Sequence, residues 1–129
     1  MPPRNAAHHP AAAACDDHSV DDQVSADDAA PLLDAGAMLL DVREQAEWDA
    51  GHAPQATHIP MSELQRRAAE IPSDRTILCI CHVGGRSAAV TDALNRGGWH
   101  ALNLIGGMEA WRHIGLPVVR DDGSPGIVI

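Results

Sequence analysis

Apolar and polar positions divide the chain into short apolar runs separated by stretches of helical period. The run Thr76-Ile77-Leu78-Cys79-Ile80-Cys81 is almost continuously apolar and β-branched or thiol-bearing, as expected of a strand covered on both faces. A glycine-rich loop follows it, His82-Val83-Gly84-Gly85-Arg86, and then Ser87. Beyond Ser87, Ala88, Ala89, Val90, Ala93 and Leu94 recur at helical spacing until Gly97-Gly98, where a helix would end. Ala37 to Val42 reads as a second buried strand, Ala101 to Ile105 as the last, and Gln23-Val24 as a short first one. Thr57-His58-Ile59-Pro60 is a short strand placed near an edge, because Pro60 has no N–H for a ladder.

Four further helices are expected. Ser25 with Asp27 and Asp28 makes a serine cap and an acidic first turn for a helix through Leu32 and Leu33 to Gly36. Gln45 to Ala50 forms a short helix around Trp48, closed by Gly51. Ser62-Glu63-Leu64-Gln65 is a capping-box pattern for a helix ending before Pro72. Met108 to Ile114 carries Trp111 and is stopped by Gly115 and Pro117. Strand and helix thus alternate four or five times over roughly a hundred residues, which predicts an α/β fold with a parallel sheet and helices on both faces. Residues 23–119 form this single domain. Residues 1–22, rich in Pro, Ala, His and Asp with no apolar period, read as an N-terminal tail. Residues 120–129 read as a C-terminal tail whose Ile127-Val128-Ile129 either docks or frays.

Composition narrows the partners. The chain has 129 residues with no Phe, Tyr or Lys, and a formal net charge of −9. That balance argues against nucleic acid or an anionic membrane surface, and it makes a single cation such as Arg86 locally important to an anionic substrate. No stretch approaches the length of apolar sequence that spans a membrane. Three cysteines without framework spacing point to a reducing, cytoplasmic setting with thiols kept for chemistry or packing. His8, His9, Cys15 and His18 match no zinc spacing, so no metal site is expected.

Cys81 is the candidate nucleophile. It sits at the carboxyl end of a central strand, where open α/β sheets bind ligands, and before a helix N-terminus that favours anions. Gly84 and Gly85 let successive N–H groups turn inward as an anion nest, and Arg86 adds a charge. Such surroundings lower a thiol's pKa and make it reactive. On the residues alone, a structural cysteine before a Gly-Gly loop stays open beside this reading.

Cys81-His82-Val83-Gly84-Gly85-Arg86-Ser87 resembles the C-x-x-G-x-R-[ST] active-site loop of the rhodanese family of sulfurtransferases. Leu40-Asp41-Val42-Arg43 with Glu47-Trp48 and Gly51-His52-Ala53 is similar to that family's D-V-R…E-[WFY]…G-H segment. His58-Ile59-Pro60 resembles its short H-I-P strand, and Leu104 to Trp111 its closing L-x-G-G-x-x-x-W. The resemblance spans about Val24 to Pro117. It implies a five-stranded parallel domain in which Cys81 attacks the sulfane sulfur of a small anionic donor such as thiosulfate. Cys81 would carry that sulfur as a persulfide and yield it to cyanide, a thiol or a protein acceptor. No cofactor is implied beyond the covalent persulfide. The loop from His82 to Ser87 would hold the outer sulfur, with Arg86 as its charged member.

Four residues separate Cys81 from Arg86, as in sulfurtransferases, whereas the related phosphatases have one more and a wider cradle. His82 stands where several thiosulfate-using relatives carry Arg, which favours a persulfide or protein donor. The alternatives are a sulfur-carrier or protein-interaction module and, further behind, a cysteine-dependent phosphatase. Asp41 and Arg43 are expected in a supporting role, with Arg43 tying loops together through carboxylates such as Glu44 or Glu47. Cys79, two residues from Cys81, is expected to be packed rather than disulfide-bonded. Trp48, Trp99 and Trp111 read as core or half-buried anchors, and His52, His58, His100 and His113 carry no catalytic assignment.

Overall fold

The computed structural model describes residues 22–129, so the expected tail, Asp22 apart, lies outside the described residues with His8, His9, Cys15 and His18. Five strands form one all-parallel sheet: β1 (Gln23–Val24), β2 (Met38–Asp41), β3 (Thr57–His58), β4 (Thr76–Ile80) and β5 (His100–Leu104). Their order across the sheet is β1-β5-β4-β2-β3. The strand leading to Cys81 is therefore central, and the Pro60-flanked strand is at an edge. Three helices connect strands, α1 (Ala29–Asp34), α2 (Gln45–Ala50) and α3 (Gly85–Arg96), and a fourth, α4 (Gly107–His113), follows β5.

Side-chain alternation along the three central strands builds two cores, one on each sheet face. On one face Met38, Leu40, Ile77, Cys79 and Ala101 meet Val90 and Leu94 of α3. On the other, Leu39, Leu78, Ile80, Leu102 and Leu104 meet Ala29 of α1 and Met108 and Trp111 of α4. With no Phe or Tyr to fill space, Trp111 is the largest fully buried side chain, and its indole N–H donates to the Pro117 carbonyl at 2.9 Å. Trp99 packs partly buried on the first core, with its N–H on the Ile71 carbonyl.

Three local expectations are corrected. No α-helix runs from Ser62 to Pro72. The segment makes two 3₁₀ turns, Met61–Glu63 and Ala68–Glu70. Ser62 Oγ donates to Glu44 Oε1 at 3.2 Å instead of capping a helix, and only Leu64 and Ile71 of the segment pack on the core. Two apolar residues make too narrow a face to hold a helix down. Ser25 likewise caps nothing: its hydroxyl donates to Asp28 Oδ2 at 3.3 Å, and a 3₁₀ turn, Ala26–Asp28, precedes α1. The reach-back expected at Ser62 occurs at α2, where Glu47 Oε1 accepts the N–H of Glu44 at 3.1 Å.

The last ten residues dock. Val119 bridges His52 and Pro125, and Ile127 N–H donates to the Ala50 carbonyl at 2.9 Å. Val128 joins the second core. Gly51 makes room for this return, since a Cβ there would stand 2.4 Å from the Ile127 carbonyl oxygen.

Trp111→Ala should lower stability by about 3–5 kcal/mol, because it removes the largest fully buried side chain of the core. The urea midpoint from tryptophan fluorescence of the two remaining indoles measures it. A shift worth under about 1 kcal/mol would contradict the packing described.

Candidate functional site

The site is the turn from β4 into α3. Cys81 is the first residue past β4, on the same face as Cys79 and the α3 core. Gly84, the residue that caps α3, has φ +112°, a left-handed conformation that a side chain would resist. That twist aims N–H groups back at the sulfur. Cys81 Sγ accepts the Gly84 N–H at 3.1 Å and the Ser87 N–H at 3.4 Å, with the Ser87 hydroxyl oxygen 3.3 Å away. Cys81 itself is only 1% exposed, so the sulfur forms the floor of the cradle while Val83 on its rim is open to solvent.

A second glycine pair clamps the cradle from below. Gly107 opens α4 at φ +55°, and a Cβ there would fall 2.3 Å from the Cys81 carbonyl oxygen. The close approach lets the Met108 N–H donate to the Cys81 carbonyl at 2.7 Å and the Glu109 N–H to the His82 carbonyl at 3.1 Å. The loop is thus held by backbone bonds to one helix start while its own N–H groups face the sulfur.

The cysteines two residues apart have opposite chemistry. Burial pushes the Cys81 thiol up, but the Ser87 hydroxyl and the N–H groups of Ser87, Gly84 and Arg86 outweigh it, and the net change is downward. Burial pushes Cys79 up to about 12, against a weaker pull from the Thr91 hydroxyl. Both are free thiols. Cys79 is packing, as expected.

The charged groups at the rim are spoken for. The Arg86 guanidinium holds Glu47 with two bonds of 2.7 Å, so the charged member expected of the cradle is directed at a carboxylate, and the backbone N–H of Arg86 faces the sulfur instead. His82 Nε2 donates to Glu109 Oε2 at 2.9 Å, and Glu109 also accepts from Arg112 at 2.8 Å. Of the other expected loop residues, Val83 is 60% exposed and Gly85 begins α3 with open space around it.

Asp41 and Arg43 are both fully buried and bind each other, Arg43 Nη2 lying 2.8 Å from Asp41 Oδ2. The same nitrogen donates to the Gly51 carbonyl at 2.8 Å. The expectation that Arg43 engages Glu44 or Glu47 is therefore corrected: Glu47 belongs to Arg86, and Arg43 ties the end of β2 to the end of α2. His58 Nε2 donates to the Arg43 carbonyl at 2.7 Å and stacks on Trp48, which stacks in turn on His52 at 3.5 Å. These rings brace the segment rather than the sulfur. Sequence reading missed three groups near Cys81: Glu109, Asn103 and Gln23. Asn103 was legible only as a polar residue inside the apolar run Ala101 to Ile105.

The family model for the rhodanese-like domain matches residues 25–114, and the chain belongs to that family. It is 39% identical over 87 residues to a sulfurtransferase of Allochromatium vinosum, covering 67% of this chain and 81% of that protein. It is 35% identical over 79 residues to a putative sulfur carrier protein of Bacillus subtilis, covering 60% of this chain and 43% of that protein. The crystal structure of a rhodanese-related protein from Thermoplasma volcanium superposes with a TM-score of 0.71 at 33% identity, over 75% of this chain and 96% of that one. The five-stranded parallel α/β fold is shared. None of the described helices is long and apolar enough to cross a membrane.

The Glu47–Arg86 pair makes a pH prediction. Hydrogen bonding from Arg86 holds the Glu47 carboxyl at about 2, below its ordinary 4.5. A depressed carboxylate contributes stability that is present above 4.5 and is lost as pH falls from there towards 2. Glu47→Gln should therefore be less stable than wild type at neutral pH, with the difference closing across that window. Thermal midpoints measured against pH check it, and a gap that stays constant with acid would refute the assignment.

Proposed function

We propose that the protein is a sulfurtransferase in which Cys81 takes a sulfane sulfur from a donor such as thiosulfate and passes it to a thiophilic acceptor. The observation that carries the reading is the convergence of the Gly84 and Ser87 N–H groups on the Cys81 sulfur. The Cys81 thiolate attacks the outer sulfur of the donor; the S–S bond breaks and sulfite leaves with its electron pair. The charge then lies on the outer persulfide sulfur, within reach of the N–H groups from His82 to Ser87. A thiol or cyanide nucleophile attacks that sulfur and Cys81 departs as thiolate. The reaction is ping-pong and needs no cofactor or metal. A nucleophile that must stay reduced supports a cytoplasmic setting.

The rim supports a second reading, a sulfur carrier loaded by a partner. Arg86 is held by Glu47 and His82 by Glu109, so neither side chain is turned to a dianion such as thiosulfate. A persulfide donor, a monoanion where thiosulfate is a dianion, loses less by this pairing.

Intact-mass measurement after thiosulfate treatment should show a gain of one sulfur in wild type and none in Cys81→Ser. An adduct that persists in Cys81→Ser sinks the assignment. Steady-state turnover with thiosulfate and cyanide separates the two readings, since a carrier would load from a persulfide donor yet turn over thiosulfate hardly at all. Release of phosphate from an aryl phosphate, lost in Cys81→Ser, would instead restore the phosphatase.

A further inference from the structure

Beneath the cradle a buried chain of side chains runs away from the sulfur. Ser87 Oγ lies 2.6 Å from Asn103 Oδ1, 3.3 Å from Cys81 Sγ and 3.3 Å from the Gly84 carbonyl oxygen. Asn103 is 3% exposed and pairs with Cys79 in the register of β4 and β5. Its amide nitrogen donates to Gln23 Oε1 at 3.0 Å, and Gln23 is its register partner on the edge strand β1.

A hydroxyl carries one hydrogen, and here three acceptors face it, the Asn103 amide oxygen at 2.6 Å and the Cys81 sulfur and Gly84 carbonyl oxygen at 3.3 Å each. With Cys81 as a thiol, the short contact takes that hydrogen: Ser87 donates to Asn103 and turns a lone pair to the sulfur. When the thiol proton leaves to solvent, the sulfur becomes a charged and stronger acceptor. The hydroxyl can then serve it only by rotating away from Asn103, which leaves a buried carbonyl oxygen without its donor. Turning the amide over to compensate would break the bond from its nitrogen to Gln23 Oε1. In the persulfide the charge moves to the outer sulfur, the inner sulfur stops competing, and the hydrogen can return to Asn103.

We propose that Asn103, oriented by Gln23, is a positioning residue that competes with the Cys81 sulfur for the Ser87 hydroxyl hydrogen and so disfavours the bare thiolate relative to the thiol and the persulfide. The inference rests on the reading of Cys81 as nucleophile, but its test interrogates the thiol directly and needs no sulfur donor.

The test is the rate of Cys81 alkylation by iodoacetamide against pH, with the adduct located by peptide mass mapping. Asn103→Leu removes the competing acceptor and should alkylate about fivefold faster than wild type at a pH well below the wild-type midpoint. Gln23→Leu, at the half-buried edge, should act in the same direction and less. Both accelerations should vanish when Ser87→Ala is added, because no hydroxyl is left to redirect. A role in packing alone predicts no acceleration. Unchanged or slower alkylation in Asn103→Leu, or acceleration that survives Ser87→Ala, overturns the proposal. If circular dichroism shows Asn103→Leu unfolded, Gln23→Leu with and without Ser87→Ala decides by the same criterion. Failure of the sulfurtransferase reading would appear separately, as wild type that alkylates normally but gains no sulfur from any donor.

Discussion

Two backbone hydrogen bonds, from the α4 N–H groups of Met108 and Glu109 to the carbonyls of Cys81 and His82, are what the rest of the site depends on. A loop that points its N–H groups at one sulfur must point carbonyls elsewhere, and a buried carbonyl needs a donor. The start of α4 supplies it, because the first N–H groups of a helix have no partner within the helix. This is possible only if α4 begins almost in contact with the loop, which Gly107 permits and a Cβ would forbid. The Gly106-Gly107 pair, legible in the sequence as part of the closing L-x-G-G-x-x-x-W pattern, therefore belongs to the surroundings of the Cys81 sulfur although more than twenty residues from it. The parallel order β5-β4 then follows as the arrangement that ends both strands at the same edge.

The electrostatics of the site are those of neutral dipoles more than of charges. Arg86 and His82, the two side chains that could carry positive charge in the loop, are each bonded to a carboxylate. What remains for an anion on Cys81 is the fan of N–H groups and the Ser87 hydroxyl. Dipoles fixed by a folded backbone need no reorganisation when charge develops on a group they face. The Arg86–Glu47 pair contributes by holding α2 against the start of α3, so that the rim is braced from the side while α4 braces it from below.

Much of this was legible because the physics is local. A short, β-branched apolar run bounded by a glycine loop reads as a covered strand, and β4 was read to within a residue at its end. The placing of Cys81 between that strand and a helix start was legible in the same way. Pairings were illegible because they join distant segments: Arg86 to Glu47 lies 39 residues apart and Asn103 to Gln23 lies 80 apart. Arg43 was assigned a neighbouring glutamate when Asp41, two residues back and equally buried, was the better-placed acceptor. The failed helix after Ser62 has a different cause. Its capping pattern was genuine as sequence, but a cap adds only about 1 kcal/mol, and no apolar face was present to complete the element.

Cys79 and Cys81 show how small a displacement makes the difference between packing and chemistry. Both point to the α3 face, and both are almost wholly inaccessible. Cys79 lies within β4, where the ladder already uses the backbone donors around it, so its sulfur meets mainly apolar neighbours and its thiol is held up near 12. Cys81 lies one residue past the ladder, where the chain has begun to turn and the N–H groups ahead of it are free to face inward. Burial by itself would disable either thiol. What distinguishes Cys81 is the end of the strand: a thiol placed there keeps the shelter of the core while taking its donors from a helix that has not yet begun to use them.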